Sequence, residues 1–395
     1  MIRAEIAGIE IGDNLPVRIM GVINLSPESF YKGSVVTSGI KEAAQRMVDE
    51  GADFIDIGAR STWPLAPEIS KEAEKERLLT ALDALSVDVP VSVDTMYHDI
   101  AGEALGRGAD IINDVSGFTQ DALMVEVARE YACPVVLMAG RTVPGDAVGM
   151  DAVMEALSGI IARVELAGIE PGHIIIDPAF GKWVPEKAPE HDFETLRSLS
   201  RLRVLGKPIL AAVSRKSFIG ETLGKPPEMR LFGSIAAAAL AVHNGAHIVR
   251  THDVSATVDA VRIAEKARRK IVSGDNIEIL MLSHPDDAAR AMRSLGATAA
   301  GSLIMKNKAV LKTILIRNIT STEALIIKQE MLARGGDAAL PKEAISHEKE
   351  HVDVLICGTL LQVQRLVAKL SRQSRSLPAI AELLRMRLEE EGSYG

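Results

Sequence analysis

The chain has 395 residues, of which 47% are hydrophobic, 25% charged and only 3% aromatic. That composition describes an aliphatic core rather than a disordered chain, and the length exceeds one usual domain. A formal net charge of −8 with no long basic run argues against an extended nucleic-acid or anionic-membrane surface, so any anion site must be built locally. The N-terminus lacks a basic-then-apolar leader pattern and no apolar run reaches membrane-spanning length, which sets the expectation of a cytoplasmic protein. Cys133 and Cys357 lie in apolar stretches without metal-ligand spacing, and both read as buried thiols of a reducing compartment.

From Pro16 to Ile271, short apolar runs alternate with longer amphipathic patterns. The runs are Val17–Ile23, Phe54–Ile57, Val89–Val93, Ile111–Asn113, Pro134–Met138, Ile174–Ile176, Pro208–Val213 and His247–Arg250. Between them, segments such as Asp151–Ala167 place Val153, Met154, Leu157, Ile160, Ile161 and Val164 on one helical stripe. Eight such units with no GxGxxG after the first strand favour a closed (β/α)8 barrel over a doubly wound open sheet.

The turn-rich segment Val272–Asn276 reads as a linker, giving a barrel over residues 1–271 and a second, smaller α/β domain over 276–395. In the latter, strands are expected at Ile277–Leu282, Leu311–Ile316 and Val352–Cys357. Helices are expected at Pro285–Leu295, Thr322–Arg334, Leu360–Leu370 and Ala379–Glu390.

In a barrel of this kind, chemistry gathers where the strands end. Polar residues end most of these runs: Asn24, Asp56, Asp94, Asn113 with Asp114, Asp177, Ser214-Arg215-Lys216-Ser217, and Arg250 with His252 and Asp253. Taken singly, Asp94 reads as a helix N-cap, Asp56 as a residue bonding its own turn, and His252 as a structural strand-end histidine. Independent capping does not explain carboxylates, amides and cations converging on one mouth.

Several stretches then follow one another in a fixed order. They are Met20-Gly21-Val22-Ile23-Asn24-Leu25-Ser26-Pro27-Glu28-Ser29-Phe30, Asp56-Ile57-Gly58-Ala59-Arg60-Ser61-Thr62-Trp63-Pro64, Ser92-Val93-Asp94-Thr95, and Ile111-Ile112-Asn113-Asp114-Val115-Ser116-Gly117. Asp177-Pro178, Val213-Ser214-Arg215-Lys216-Ser217-Phe218-Ile219-Gly220 and Arg250-Thr251-His252-Asp253-Val254 complete the set. In motifs and order the sequence resembles the dihydropteroate synthase family, over about two thirds of its length. The resemblance implies condensation of a pterin-methyl diphosphate with an arylamine and release of pyrophosphate. It implies that Asp94, Asn113, Asp177 and Lys216 hold the pterin. Asn24, Thr62, Arg250 and His252 would then serve the diphosphate and a Mg2+ ion, Asn24 being the metal ligand, and Ser217 would lie where the arylamine arrives. Lys216, Arg250 and His252 are the expected catalytic residues, and a homodimer is expected. The residue types suit the ligand, because a pterin edge offers adjacent N–H donors to a carboxylate and acceptors to a lysine.

The departures from the family pattern are Lys32, Arg60, Trp63 and a loop Asp177-Pro178-Ala179-Phe180-Gly181-Lys182-Trp183 about two residues shorter than the commonest family form, all where the arylamine is expected. With Arg141 they raise the expectation of a phosphorylated, sugar-bearing arylamine, as in methanopterin biosynthesis, rather than plain p-aminobenzoate. Two other readings stand beside this one: a pterin-dependent methyltransferase on the same barrel, and a pterin-binding protein without catalysis. The Ser-Arg-Lys-Ser motif and the Arg-x-His pair favour the synthase.

Overall fold

The computed structural model describes residues 1–28, 35–36, 39–60, 67, 69–268, 273–274, 277–374 and 376–391. The chain divides into two compact units, Met1–Ile279 and Leu280–Gly395, a boundary a few residues beyond the linker expected from its turn residues.

The first unit opens with an antiparallel hairpin, β1 (Arg3–Ile6) and β2 (Ile9–Gly12), turning through Ala7 and Gly8 at positive φ. Eight parallel strands follow: β3 (Arg18–Asn24), β4 (Phe54–Gly58), β5 (Val91–Asp94), β6 (Ile111–Asp114), β7 (Val135–Met138), β8 (Ile174–Asp177), β9 (Leu210–Ala211) and β10 (Ile248–Thr251). They pair in the order β8-β7-β6-β5-β4-β3-β10-β9, and a parallel bridge from Ile176 to Ile209 brings the two ends together. The result is a (β/α)8 barrel.

Nine helices of the described residues wrap this unit: α1 (Ile40–Asp49), α2 (Lys71–Ala84), α3 (His98–Gly106), α4 (Met124–Glu130), α5 (Met150–Leu166), α6 (Pro189–Arg197), α7 (Ser217–Leu223), α8 (Leu231–His243) and α9 (Val254–Ala267). The stripe expected on α5 is the buried face, since Val153, Met154, Leu157, Ile160, Ile161 and Val164 are all buried.

Strand alternation decides what fills the barrel, because every second side chain points inward. At the N-terminal end these are Met20, Phe54, Ile111, Val136, Ile175, Leu210 and Ile248, which pack on Ile6 and Ile11 of the hairpin. The hairpin plugs that end with an apolar floor, in which complete burial of a side chain such as Phe54 contributes about 1.5–3 kcal/mol. Two residues further along each strand, the inward positions are Asp56, Asn113, Asp177 and Arg250. The polar set is thus the next inward layer of the barrel.

Beneath the floor, Asp13 is buried and ties the hairpin to the barrel. It accepts from the Ile2 N–H at 2.6 Å, pairs with Arg203, and lies 3.2 Å from His247 Nε2. Burial alone would raise its pKa, but bonds from His247, Arg203 and Ile2 outweigh that and hold the carboxyl below the usual range.

The second unit holds helices α10 (Pro285–Ser294) and α11 (Ala299–Met305), strand β13 (Leu311–Thr320), α12 (Ser321–Leu332), β14 (Asp337–Ala339), α13 (Lys342–Ile345), β15 (His351–Thr359), α14 (Leu360–Leu370) and α15 (Leu377–Glu390). The two short strands before it, β11 (Ser273–Gly274) and β12 (Ile277–Glu278), pair with each other. The strand expected at Ile277–Leu282 therefore stops at Glu278. The three-stranded antiparallel sheet has the order β13-β15-β14. Its α12 and α14 both begin with a capping box, Thr320 with Glu323 and Thr359 with Gln362. Cys357 departs from the expectation of two buried thiols. It lies on the outward side of β15 and is exposed, whereas Cys133 is buried and its thiol is pushed up to about 12 by that burial.

Candidate active site

The layer above the floor is organised around Arg250. Its Nε donates to Asp56 Oδ2 at 2.7 Å, and its Nη2 reaches Asp94 Oδ2 at 3.1 Å. Asn113 Nδ2 lies 3.3 Å from both oxygens of Asp56. The register explains the grouping, because Asp94 pairs with Gly58 on one side and Asn113 on the other, while Asp56 lies beside Ser92.

Two single-residue expectations change here. Asp94 caps no helix: α3 begins at His98 with no side-chain cap bond. Asp56 does not bond its own turn. It is fully buried inside the barrel and accepts from Arg250 and Asn113. The inward alternation from Phe54 was the signal for it. Asp114, one residue beyond Asn113, faces the other way and holds its loop through the Ser116 and Phe118 N–H groups. Ser92 Oγ is buried and makes no hydrogen bond among the described residues.

Electrostatics follow from burial. The Asp94 carboxyl is pushed up to about 7, first by burial and then by Asp56, Glu74 and Asp114, with Arg250 opposing. Burial raises Asp177 as well, against the Ala179 N–H and the charges of Lys216, Arg250 and Lys187. Burial lowers Lys216 to about 8, with Asp177 opposing. His252 is lowered to about 3 by burial and by Arg250, Lys216 and Arg215, so it is a neutral ring at neutral pH and not one of the cations of the rim. Its Nδ1 lies 3.0 Å from Ser214 Oγ.

Lys216 is delivered by its neighbours. Arg215 has a left-handed backbone (φ 57), a strained conformation for a non-glycine residue. It is held there by a two-pronged bond to Asp253 at 2.7 and 2.8 Å and by donation to the carbonyls of Pro227 and Glu228. The turn leaves Lys216 at the N-cap of α7, and Ser217 Oγ accepts from the Lys182 N–H at 2.8 Å. The loop after β8 is anchored by a buried pair: the Lys187 ammonium bonds the Ala179 carbonyl and lies 3.2 Å from Asp192, which also accepts from the Gly181 N–H. Neither Lys187 nor Asp192 is among the expected site residues, because their spacing matches no motif.

The expected arylamine residues stand differently. Lys32, Thr62 and Trp63 lie outside the described residues. Arg60 is committed to the buried Glu74, donating from Nε at 2.6 Å, and to the Ile69 carbonyl. Glu74 accepts in addition from Thr95 Oγ1 at 2.7 Å, so it ties together the loops after β4 and β5. Arg141 pairs with Glu155 at 2.6 Å. Asn24 Oδ1 accepts from the Ser26 N–H at 3.0 Å and, as an amide oxygen, has a second lone pair for a hard cation. Among the described residues no cluster of His, Cys, Asp or Glu offers a protein-only metal cage.

Comparison with known proteins agrees with this layout. The pterin binding enzyme family matches residues 20–252. The chain is 38% identical to a dihydropteroate synthase of Synechocystis over 259 residues, 62% of this chain and 89% of that protein. It is 36% identical to the Escherichia coli dihydropteroate synthase over 258 residues, 62% of this chain and 90% of that one. Among solved structures, the Coxiella burnetii dihydropteroate synthase in complex with pteroic acid aligns with a TM-score of 0.61 and 37% identity, covering 68% of this chain and 99% of that one. A Xanthomonas albilineans dihydropteroate synthase with 4-aminobenzoic acid aligns with a TM-score of 0.58 and 36% identity, covering 67% and 97%. The chain belongs to the pterin-binding enzyme family, on its dihydropteroate synthase branch.

Proposed function

We propose that the barrel condenses a 6-hydroxymethyl-dihydropterin diphosphate with p-aminobenzoate, the step that builds dihydropteroate in folate synthesis. The observation that carries it is the inward layer of Asp94, Asn113, Asp177 and Lys216 around Arg250, set over an apolar floor in a family of pterin-binding enzymes. In this reading the Asp177 carboxylate accepts N–H groups of the pterin edge, and Lys216 donates to its ring acceptors. Arg250, His252 and Thr62 attend the diphosphate. The carbon–oxygen bond to the diphosphate breaks with its electron pair leaving on oxygen, the amine nitrogen attacks the methylene carbon, and the nitrogen then sheds its surplus proton. Orientation and stabilisation of departing charge supply the catalysis.

Asn24 is the protein oxygen that would hold Mg2+, an ion that takes its other ligands from phosphate oxygens and water. When bound, the ion would neutralise charge on the leaving diphosphate. For the amine, the commitment of Arg60 to the buried Glu74 removes one of the cations that favoured a phosphorylated substrate, whereas Arg141 makes only an exposed pair with Glu155. A sugar-phosphate arylamine then rests on Lys32 and Arg141, with Trp63 as a stacking face. A homodimer is supported by α8, whose outward residues Phe232, Ala236 and Leu240 form one stripe, Phe232 being 79% exposed. No helix of the described residues is long and apolar enough to cross a membrane, and the exposed free thiol of Cys357 suits a reducing compartment such as the cytoplasm.

The test is turnover of the pterin diphosphate with a panel of arylamines. Release of pyrophosphate with p-aminobenzoate as the preferred amine supports the reading. Preference for the ribofuranosyl aminobenzene phosphate would reassign the amine. Pterin binding without pyrophosphate release would instead leave a methyltransferase or a non-catalytic binder.

A further inference from the structure

Trp183 has no part in the chemistry so far, yet three neighbours fix it in place. Its indole N–H donates to the Phe180 carbonyl at 3.1 Å. Its side chain packs closely against Gly145, where an added Cβ would fall 2.2 Å from the ring carbon Cγ. Its face lies under the Lys216 ammonium, 5.1 Å from Nζ to the ring centroid. The Lys216 stem runs past Gly181, where a Cβ would come within 3.0 Å of Lys216 Cδ and where φ is +103°. The lysine therefore threads a sleeve made by the glycine backbone on one side and the indole on another.

We infer that Trp183 is a positioning residue for Lys216, its ring face holding the ammonium in the barrel mouth and favouring the charged form over the neutral amine. The charged groups facing Lys216 are nearly balanced: Asp177 at the end of β8 and Asp192 on α6 favour the ammonium, while Arg250 on β10 and Lys187 in the loop before α6 oppose it. Burial then brings the lysine down to about 8, close to the neutral range. A third carboxylate could also favour the ammonium, but it would take one of its three donors and set a negative group beside an incoming diphosphate. An aromatic face attracts the cation without consuming an N–H bond or adding net charge.

The inference rests on the reading of Lys216 as a pterin ligand, but its test reads the lysine directly. Competitive acetylation of the intact protein across the neutral and alkaline range, followed by mass spectrometry of the peptide carrying Lys216, gives the midpoint of its titration without any substrate. Trp183→Leu should lower that midpoint by about one pH unit, and Trp183→Phe should restore part of the loss. Biosynthetic replacement of the two tryptophans by fluorinated analogues keeps the shape while weakening the ring face, and should lower the midpoint stepwise with each added fluorine. A purely packing role for the indole would leave the fluorination series flat. A flat series, or a leucine variant that folds with the parental midpoint, overturns the inference. If the midpoint moves as expected in a protein that turns over no pterin diphosphate, the positioning role stands and the reaction assignment falls.

Discussion

Arg250 is turned inward onto Asp56: its guanidinium donates through Nε at 2.7 Å to a carboxylate that is wholly buried, and spans from there to Asp94. The charge expected at the rim is thus shared with the polar layer inside the barrel. Arg250→Ala should leave Asp56 without its buried partner and cost about 3–5 kcal/mol of stability, beyond any loss of diphosphate affinity. Denaturant unfolding beside a diphosphate titration separates the two effects. Unchanged stability would mean that Asp56 is held by Asn113 alone.

Asp177 carries the pterin assignment. Asp177→Asn replaces an acceptor with a donor facing the ligand's N–H groups, and should weaken pterin affinity by about 2–4 kcal/mol. Because burial raises this carboxyl, parental pterin affinity should fall as pH drops through the raised value, and the asparagine variant should lack that fall. Calorimetry of pterin binding across the acidic range checks both, and a variant that binds as tightly as the parent contradicts the assignment.

His252 is neutral in the free protein, since burial and the neighbouring cations lower it to about 3. A bound diphosphate supplies the opposite charge, so its binding should be accompanied by proton uptake that increases as pH falls. Calorimetry in buffers of different ionisation heat measures this uptake. His252→Gln should reduce the uptake while leaving the affinity for a pterin without diphosphate close to parental.

The legible part of the fold was its periodic part. Apolar runs located the barrel strands, and the stripe on α5 matched its buried face. The β1–β2 hairpin was missed because each strand has four residues and the turn is Ala7-Gly8 rather than an Asn-Gly pair. The strand-end polar residues pointed to one mouth, but which of them touch was not legible. Arg60 and Glu74 meet across a loop and a helix, and no local spacing encodes that pair. Asp56 could have been placed by counting two residues from Phe54 along an inward-facing strand, where it had been read as a turn residue.

Asp13 is a stability device far from the chemistry. Its folded pKa is depressed, so its contribution is fully present above the unfolded value of about 3.9 and is lost as pH falls through the folded value. Asp13→Asn should cost about 3–5 kcal/mol at neutral pH by removing the buried carboxylate on which Arg203, His247 and Arg268 converge. The stability difference from the parent should shrink on acidification. Unfolding curves over the acidic range show whether the two proteins converge.

The central claim is that the inward polar layer of the barrel joins a pterin-methyl carbon to an aromatic amine with loss of pyrophosphate. Its most direct measurement is simultaneous quantitation of pyrophosphate and the pterin–amine conjugate from purified protein given pterin diphosphate, Mg2+ and p-aminobenzoate. Equal amounts of the two products, formed together and abolished by Asp177→Asn, are expected. Pyrophosphate without conjugate, or conjugate formation unaffected by that substitution, would contradict it.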